Sequence, residues 1–308
     1  MTHSKASPSH PAVIINASSG TAAGKGVIES VKEAFASTGI EPQFLTAVKG
    51  DEIVKLARQA IKEDRRPIIA GGGDGTINAV ASTLIDTDRA LGVLPLGTLN
   101  HFAKDLKIPL DIPSAVRVCI EGHEAAVDVV EVNGRYFLNN SSLGLYPNIV
   151  RHREKQQQRL DRGKWPAFIW ATLTMLKRYP FLNVRLSTDE QKLNRRTPFV
   201  FIGNNEYEME NFNIGARSRL DGGQVSLYVA QGTGRLGLLR LAWRALFGGL
   251  RNERDFDALC SKEVWIESRR RHLHVATDGE VSVMETPLHY IARPGALRVL
   301  VPQSSDEF

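Results

Sequence analysis

The sequence predicts an α/β protein with two differently built parts. The N-terminal part is expected to be a doubly wound, mostly parallel nucleotide-binding sheet, because short apolar runs alternate with segments of helical spacing up to about residue 125. The C-terminal part is expected to be an antiparallel, β-rich, sandwich-like domain with helical inserts, because strand-like runs then follow one another. Asn133-Gly134, between two such runs, is a strong hairpin signal.

The first part divides into strands and helices at clear boundaries. Strands are predicted at 12–15, 43–47, from 68 to the glycines at 71, and 91–94. One helix is predicted over 27–35 with Gly39 as its C-cap, and another after Asp51 as its N-cap. Ligands of parallel sheets bind at the carboxyl ends of the strands. The glycine-bearing turns at 71–76 and 95–98 are therefore expected to share one site.

The second part is predicted to contain many strands and two helical inserts. The strands are expected at 128–132, 135–139, 182–187, 199–202, 224–230, 263–267, 272–276, 280–284 and 297–301. The inserts, 151–179 and 235–251, combine arginines with tryptophan and leucine. Such segments can lie in a membrane interface, or can pack on the domain with solvated arginines, and the sequence leaves both open.

Composition and charge restrict the classes of protein. A hydrophobic content of 42% and a charged content of 24% are typical of a soluble globular protein. The net charge of +5 fits an anionic substrate or an anionic membrane surface, and no nucleic-acid partner is expected. Cys119 and Cys260 lie in apolar stretches, which favours reduced thiols and a cytoplasmic location. No secretory signal and no apolar run of about 20 residues is visible.

The glycine-rich turn is the most informative motif. Gly71-Gly72-Gly73-Asp74-Gly75-Thr76 joins a buried strand to a helix. Glycine lets the backbone approach a ligand closely or adopt positive φ, and the N–H groups of the helix N-terminus attract phosphate. The turn matches neither the P-loop pattern nor the dinucleotide-binding pattern. The alternative is a purely structural turn in which Asp74 caps a helix.

Four blocks, in this order, resemble the diacylglycerol kinase catalytic-domain family, which includes sphingosine, ceramide and bacterial lipid kinases. They are Asn16 to Gly20, Gly71 to Thr76, Pro95 to Ala103, and Asp278-Gly279-Glu280. Together they span nearly the whole chain. The polar N-terminus predicts a disordered tail at 1–10, and the change from alternating strands and helices to strand-like runs places a domain boundary near residue 130. With the resemblance, the expected parts are a nucleotide-binding domain at 11–130, a lipid-substrate domain at 131–290, and a C-terminal strand within 291–308 that can return to the first domain.

The resemblance also implies the residues of a site for ATP and Mg²⁺. The expected nucleotide-binding residues are Asn16, Ser19, Gly20, Thr46, Gly72, Gly73, Asp74, Gly75, Thr76, Asn78 and Thr98. Asp74 is expected to act through Mg²⁺ or ordered water, because a carboxylate beside phosphates needs a cation to offset repulsion.

Catalytic roles are implied for Asp74, Asp278 and Glu280, of which Glu280 is favoured as the proton acceptor. Asp278 and Glu280 are expected to face the nucleotide. A structural magnesium site is implied at Asp221, with the carbonyl groups of Ser218 and Gly223; the alternative is an ordinary Asp-Gly turn. His101 replaces the Asp that is usual in the third block, and this leaves the magnesium arrangement open.

The predicted function is ATP-dependent phosphorylation of a lipid hydroxyl. The acceptor is expected to be a diacylglycerol-like or sphingoid lipid, reached by peripheral contact with the inner face of the membrane. An NAD kinase-like enzyme and a nucleotide-binding regulator without catalysis are the alternatives. The sequence does not indicate the oligomeric state.

Overall fold

The computed structural model describes residues 10–17, 23–48, 50–144, 181–189, 191–210, 213–217, 219–230 and 256–303. These residues form two compact units. Unit 1 contains the described residues up to Val129 and those from Pro294 onward, and unit 2 contains the described residues from Val130 to Arg293.

Unit 1 alternates strands and helices along the chain. The strands are β1 (Ala12–Asn16), β2 (Gln43–Ala47), β3 (Ile68–Gly72) and β4 (Ala90–Pro95). The helices are α1 (Ala23–Ala36), α2 (Gly50–Lys62), α3 (Asp74–Leu84), α4 (His101–Asp105) and α5 (Ile112–Glu121). The four strands are parallel in the order β2-β1-β3-β4, as predicted for a doubly wound sheet.

The strands of this sheet are buried on both faces. Val13, Ile14, Ile68 and Ile69 have no exposed surface, which is the pattern of a parallel sheet covered by helices. The strand order reverses between β1 and β3, because β1 pairs with β2 on one side and β3 on the other. Such a switch point is where open α/β sheets bind ligands.

The structure differs from the sequence prediction at the start of one helix and in the presence of another helix. Helix α2 begins at Gly50, so Asp51 lies in its first turn and the predicted N-cap at Asp51 is wrong. Glu52 accepts the N–H of Val48 at 2.7 Å instead, and thereby ties the preceding loop to the helix. Helix α5 was not predicted, although Asp111 caps it by accepting the N–H of Ser114 at 2.9 Å.

Unit 2 is built from strands. They are β5 (His123–Val132), β6 (Arg135–Phe137), β7 (Asn140–Gly144), β8 (Leu182–Thr188), β9 (Lys192–Thr197), β10 (Phe199–Asn204), β11 (Tyr207–Glu210), β12 (Asn213–Arg217), β13 (Val225–Ala230), β14 (Phe256–Ser261), β15 (Glu263–Ser268), β16 (His272–Thr277), β17 (Glu280–Glu285) and β18 (Leu288–Val301). Residues 123–129 of β5 and 294–301 of β18 belong to unit 1. There, Arg298 and Val299 of β18 pair in parallel with Ala90 and Leu91 of β4.

Most described strands of unit 2 form two packed sheets, and β11 and β12 pair separately as an antiparallel hairpin. One has the order β14-β13-β10-β7-β16-β17, and its strands are antiparallel. The other contains β15, β8, β9 and the first half of β18, also antiparallel. Apolar residues from both sheets, such as Ile202, Leu227, Ile266 and Tyr290, form one core. The predicted fold class is therefore confirmed.

Several strands were missed because their side chains are polar. Strand β9, Lys-Leu-Asn-Arg-Arg-Thr, lies at a sheet edge, where charged residues are common. Strand β7, Asn-Ser-Ser-Leu-Gly, is polar yet central. The predicted tail, apart from His10, and the inserts at 151–179 and 235–251 lie outside the described residues. Within the described ranges, no helix has the length and apolar character needed to cross a membrane.

Candidate nucleotide site and Asp-Gly-Glu turn

The carboxyl ends of the unit 1 strands meet at one edge of the sheet. Ile15 is in register with both Thr46 and Gly71, and Gly72 with Pro95. The predicted residues Asn16, Thr46 and Gly72 therefore lie side by side. At the switch point, the side-chain amide of Asn16 donates to the hydroxyl of Thr76 at 3.4 Å.

The glycine turn (residues 71–76) ends β3 and opens α3. Gly71 and Gly72 still belong to the strand, and Gly73, in extended conformation, precedes the helix. The N-cap residue of α3, Gly73, has no side chain with which to cap this end of the helix. Because the first N–H groups of a helix lack partners within it, the N-terminus of an 11-residue helix with a glycine N-cap can bind phosphate.

The glycines of this turn serve close packing rather than unusual backbone angles. The described glycines with positive φ do not include Gly71, Gly72, Gly73 or Gly75, so the expectation that glycine provides positive φ in this turn is wrong. A Cβ at Gly72 would lie 2.6 Å from the Cβ atom of Thr76, a distance that ordinary packing does not allow. Glycine is therefore required because the turn folds tightly onto its own helix.

A second turn (residues 95–100) packs directly against the first. A Cβ at Gly97 would lie only 2.5 Å from the Cα of Gly73. Asn100, 5% exposed and left-handed with φ of 51°, fixes this turn. Its Oδ1 accepts the N–H of Gly97 at 3.0 Å, and its Nδ2 donates to the carbonyl oxygens of Pro95 and Gly97 at 3.2 and 3.0 Å. The predicted Thr98 is exposed on this turn.

Asp74 connects the two turns of unit 1. Its Oδ1 accepts the N–H of Phe102 at 3.2 Å, so it caps the short helix α4 rather than its own helix. The structural alternative weighed for Asp74 therefore contributes in part. His101 is exposed at the start of α4. The predicted Asn78 and Gly75 lie within α3, while Ser19 and Gly20 lie outside the described residues.

In unit 2, Asp278 and Gly279 form a tight hairpin turn between β16 and β17. Their φ angles are 45° and 85°, and Thr277 pairs with Glu280, which is the geometry of a type I′ turn. Glu280 is exposed, and its side chain makes no hydrogen bond to another described residue. Its position therefore depends on the backbone of the Asp-Gly-Glu turn (residues 278–280).

The carboxylate of Asp278 holds the segment 138–140. Its Oδ2 accepts the N–H of Leu138 at 2.8 Å, and its Oδ1 accepts those of Asn139 and Asn140 at 2.9 and 3.0 Å. The N–H of Asp278 donates to the carbonyl of Asn140 at 2.9 Å. Burial raises the pKa of Asp278 to about 6, against the lowering effect of these hydrogen bonds and of Arg217. Of the two predicted acids, Glu280 is the accessible one.

The predicted structural metal site is only partly visible. Asp221 accepts from Nε and Nη2 of Arg219 at 3.0 and 3.3 Å, so a guanidinium group lies where a cation was expected. Gly223 is left-handed with φ of 68°, and Ser218 lies outside the described residues. Among the residues described, no three or more His, Cys, Asp or Glu side chains form a cluster suited to a metal. The metal at Asp221 stays a prediction.

Sequence reasoning missed the residues that support these turns. Arg217 and Asn139 are buried polar residues of unit 2 that no motif marks. Asn100 lies within the third block, but local sequence patterns do not mark it as the left-handed residue that holds a buried turn. The partners of Arg217 lie up to 79 positions away, which local patterns do not reveal.

Comparison with known families covers most of the chain. Residues 10–132 match the family described as diacylglycerol kinase catalytic domain. Residues 148–301, half of the chain, match the family described as YegS C-terminal NAD kinase beta sandwich-like domain. The predicted family resemblance is thereby confirmed.

Individual proteins agree with this assignment. A diacylglycerol kinase of Staphylococcus carnosus is 28% identical over 71% of this chain and 72% of its own. A probable lipid kinase, YegS-like, of Pseudomonas syringae pv. tomato is 28% identical over 90% of each chain. The crystal structure of a putative diacylglycerol kinase from Bacillus anthracis has a TM-score of 0.72 and 23% identity over 96% of this chain and 98% of its own, which shows the shared fold. The chain belongs to the diacylglycerol kinase catalytic-domain family, with a YegS-type C-terminal domain.

Proposed function

We propose that this lipid kinase transfers the γ-phosphoryl group of ATP to a hydroxyl of a diacylglycerol-like or sphingoid lipid, with Mg²⁺. The observation that carries the proposal is the N-terminus of α3, with Gly73 as its N-cap, at the switch point of the unit 1 sheet. The names of the relatives, diacylglycerol kinase and probable lipid kinase, support a lipid acceptor.

The residues at this edge suit a triphosphate. Asn16 supplies an amide, Thr46 and Thr98 supply exposed hydroxyls, and the first turn of α3 supplies backbone N–H groups. In the proposal Gly72, Gly73, Gly75, Thr76 and Asn78 surround the phosphates, together with Ser19 and Gly20. The absence of a Cβ at Gly97 lets its backbone lie against Gly73, and in the proposal both backbones approach the phosphates.

Asp74 is the residue of this edge that suits Mg²⁺. A magnesium ion bound with phosphates needs only one or two protein carboxylates, and when bound it neutralises charge on the phosphates. Asp74 stands at the N-terminus of α3, and its link to Phe102 fixes the carboxylate. Asp221, with the carbonyl groups of Ser218 and Gly223, is proposed to hold a second, structural ion, which must then compete with Arg219.

Glu280 is proposed to accept the proton of the lipid hydroxyl. Phosphoryl transfer depends mostly on positioning and charge neutralisation, so a modest base is sufficient. Glu280 is exposed, and Asp278 holds the turn that carries it. Asp278 is thus proposed to position Glu280 rather than to contact substrate.

The lipid is proposed to be reached at the inner face of the membrane from the cytoplasm. The basic segments at 151–179 and 235–251 and the net charge of +5 favour contact with anionic lipid.

The test is a transfer assay with radiolabelled ATP, Mg²⁺, and diacylglycerol or sphingosine in mixed micelles. Glu280→Gln is expected to reduce kcat by about 10² to 10⁴, the usual loss for a general base. Asp74→Ala is expected to weaken Mg²⁺ dependence and turnover. Glu285→Gln, an exposed acid at the other end of β17, is the matched control and keeps wild-type activity.

Other outcomes identify the alternatives. Label in NAD but in no lipid indicates an NAD kinase-like enzyme. Tight ATP binding without transfer to any acceptor indicates a regulator. Full activity of Glu280→Gln removes this residue from the proposed mechanism.

A further inference from the structure

Arg217 is a buried charged residue that the proposed mechanism does not use. It ends β12 and is 7% exposed. Arginine is rarely buried unless its charge is satisfied by partners. Nη1 donates to the carbonyl oxygens of Leu138 and Asn204 at 2.6 and 3.3 Å, and Nη2 donates to Oδ1 of Asn139 at 3.2 Å. The guanidinium also lies 5.9 Å from the centre of the Tyr207 ring.

The segment that Arg217 holds is the one that Asp278 holds. The carbonyl oxygen of Leu138 accepts from Arg217, and its N–H donates to Asp278. The side-chain oxygen of Asn139 likewise accepts from Arg217, and its N–H donates to Asp278. One short stretch of backbone thus lies between a buried cation and a carboxylate. The positive charge acts across it, because Arg217 lowers the pKa of Asp278.

Further hydrogen bonds fix the same stretch. Asn204 donates from Nδ2 to the carbonyl of Leu138 at 2.8 Å, and Tyr207 donates from its hydroxyl to the carbonyl of Asn139 at 2.9 Å. Both residues also contact Arg217. A network of this kind makes a single backbone arrangement rigid.

We propose that Arg217 is a positioning residue for Glu280, acting through the segment 138–140 and the carboxylate of Asp278. The inference rests on the proposed role of Glu280 as proton acceptor. Because the Glu280 side chain has no hydrogen bond to another described residue, the backbone of the turn sets its location. Asp278 anchors that turn, and Arg217 orders the N–H groups that donate to the carboxylate of Asp278.

Lysine cannot replace this arginine fully. Two different nitrogens of the planar guanidinium reach three acceptors on two chain segments. A lysine ammonium is a single point charge and reaches fewer of them. Arg217→Lys therefore keeps the charge but loosens the segment, whereas Arg217→Met removes the charge as well.

The test is a double-mutant cycle between Arg217 and Glu280, read as kcat and as KM for ATP. We expect Arg217→Lys to lower kcat about tenfold and Arg217→Met about a hundredfold, the size of loss that misplacing a reacting group by about 1 Å produces. KM for ATP should change less than about twofold if the variants alter only the proton acceptor. In the Glu280→Gln background, Arg217→Lys should then change kcat less than about twofold.

A merely structural role gives a different pattern. Loss of folded protein would lower kcat by the same factor in both backgrounds, and this result would overturn the inference. Arg195→Gln, which removes a less buried arginine of unit 2, is the control and should keep wild-type kcat. If Glu280→Gln is as active as wild type, the proposed role of Glu280 fails first.

Hydrogen exchange tests the structural part of the inference without any activity. In Arg217→Lys, the amides of 138–140 and of Asp278 should exchange faster than in wild type, while those of β13 keep their protection. Asn139→Ala, which removes one acceptor of Arg217, should speed the same amides if Arg217→Lys does not fold. Unchanged exchange at these amides in a folded variant contradicts the proposal.

Discussion

The glycine turn of unit 1 and the Asp-Gly-Glu turn of unit 2 are positioned in opposite ways. The glycine turn is held by backbone approach: Gly97 lies so close to Gly73 that a Cβ at Gly97 has no room. The Asp-Gly-Glu turn is held by buried charge: Asp278 receives three N–H groups from a segment that Arg217 orders. The first should therefore respond mainly to added volume, and the second mainly to changes of charge.

The first prediction is a pH dependence of stability that belongs to Asp278. Its pKa is raised from the ordinary 3.8 to about 6, so the folded protein binds this proton more tightly than the unfolded chain. The stability it contributes is complete below pH 4 and is lost as the pH rises through 6. At about 1.4 kcal/mol per pKa unit, the loss is roughly 3 kcal/mol. Urea denaturation between pH 4 and 7.5 measures it against Asp278→Asn, which lacks this proton.

The control for this prediction is a residue whose pH dependence of stability has the opposite sign. Arg271 lowers the pKa of the exposed Glu285, so any stability that Glu285 adds is present above its ordinary pKa and is lost as the pH falls. Comparison of Glu285→Gln with wild type should therefore show a difference that grows with pH. If the unfolding free energies of Asp278→Asn and wild type change in parallel with pH, the charge of Asp278 does not determine the stability of the Asp-Gly-Glu turn.

The second prediction adds volume to the glycine turn. The Cβ of Gly97→Ala would lie 2.5 Å from the Cα of Gly73 and 2.8 Å from Oδ1 of Asn100, and the nearer atom is backbone that cannot rotate away. We expect a loss of about 1–3 kcal/mol of unfolding free energy, typical of overpacking. The affinity for ATP should also fall at least about tenfold, since both backbones must move. Urea denaturation and calorimetry measure the two effects.

Gly26→Ala is the matched control for added volume. Gly26 lies within α1, and a Cβ there would meet no heavy atom within 4 Å. Alanine should stabilise this helix by about 0.5–1 kcal/mol and leave ATP affinity unchanged. Equal stability of Gly97→Ala and wild type would falsify the view that close backbone approach shapes the glycine turn.

The same contrast explains how far the sequence could predict the structure. The glycine turn is visible in the sequence because its parts are local: a buried strand, glycines and a helix start within ten residues. Asp278 and Glu280 were found only through their resemblance to a family. Their support was not found, because Asp278 and Leu138 are 140 positions apart and Arg217 stands in a segment without a motif.

Polar side chains also prevented parts of the fold from being predicted. Strand β7 was not predicted because it contains Asn and Ser, yet Ser141 and Ser142 are buried in the centre of its sheet. The hydroxyl of Ser141 meets that of Tyr290 at 3.1 Å, a partner 149 positions away. Alternation of apolar residues identifies strands that face the core with apolar side chains, and misses strands such as β7 whose buried side chains are polar.

The third prediction separates two contributions of Asn100 to the turn at residues 95–100. One is its side-chain hydrogen bonds, and the other is its tolerance of a left-handed backbone. Asn100→Ala loses the three side-chain hydrogen bonds and forces alanine into a left-handed conformation. Asn100→Gly loses the same bonds without that strain. We expect Asn100→Ala to lose about 2–4 kcal/mol, and Asn100→Gly to be more stable than Asn100→Ala by about 1 kcal/mol. Thermal and urea denaturation measure both; equal stability of the two variants means that backbone strain at this position is unimportant.

The smallest effect is expected for an ion pair of unit 2 that resembles the Arg217 network only in its residue types. Arg195 donates from Nε to Oδ2 of Asp257 at 2.7 Å, but the two side chains are 35% and 23% exposed. Water screens such a pair, so a double-mutant cycle with Arg195→Gln and Asp257→Asn should give a coupling of about 0.5–1 kcal/mol. The coupling should decrease in 1 M NaCl, where the Debye length is about 3 Å.

Arg217 should behave differently under the same salt. Arg217 is 7% exposed and its guanidinium donates to neutral oxygens, so the loss of stability in Arg217→Met should change little between low and high salt. If the Arg195 coupling exceeds 2 kcal/mol, or is insensitive to salt, exposure does not separate the two arginines. Burial would then not explain why the charge of Arg217 should matter more than that of Arg195.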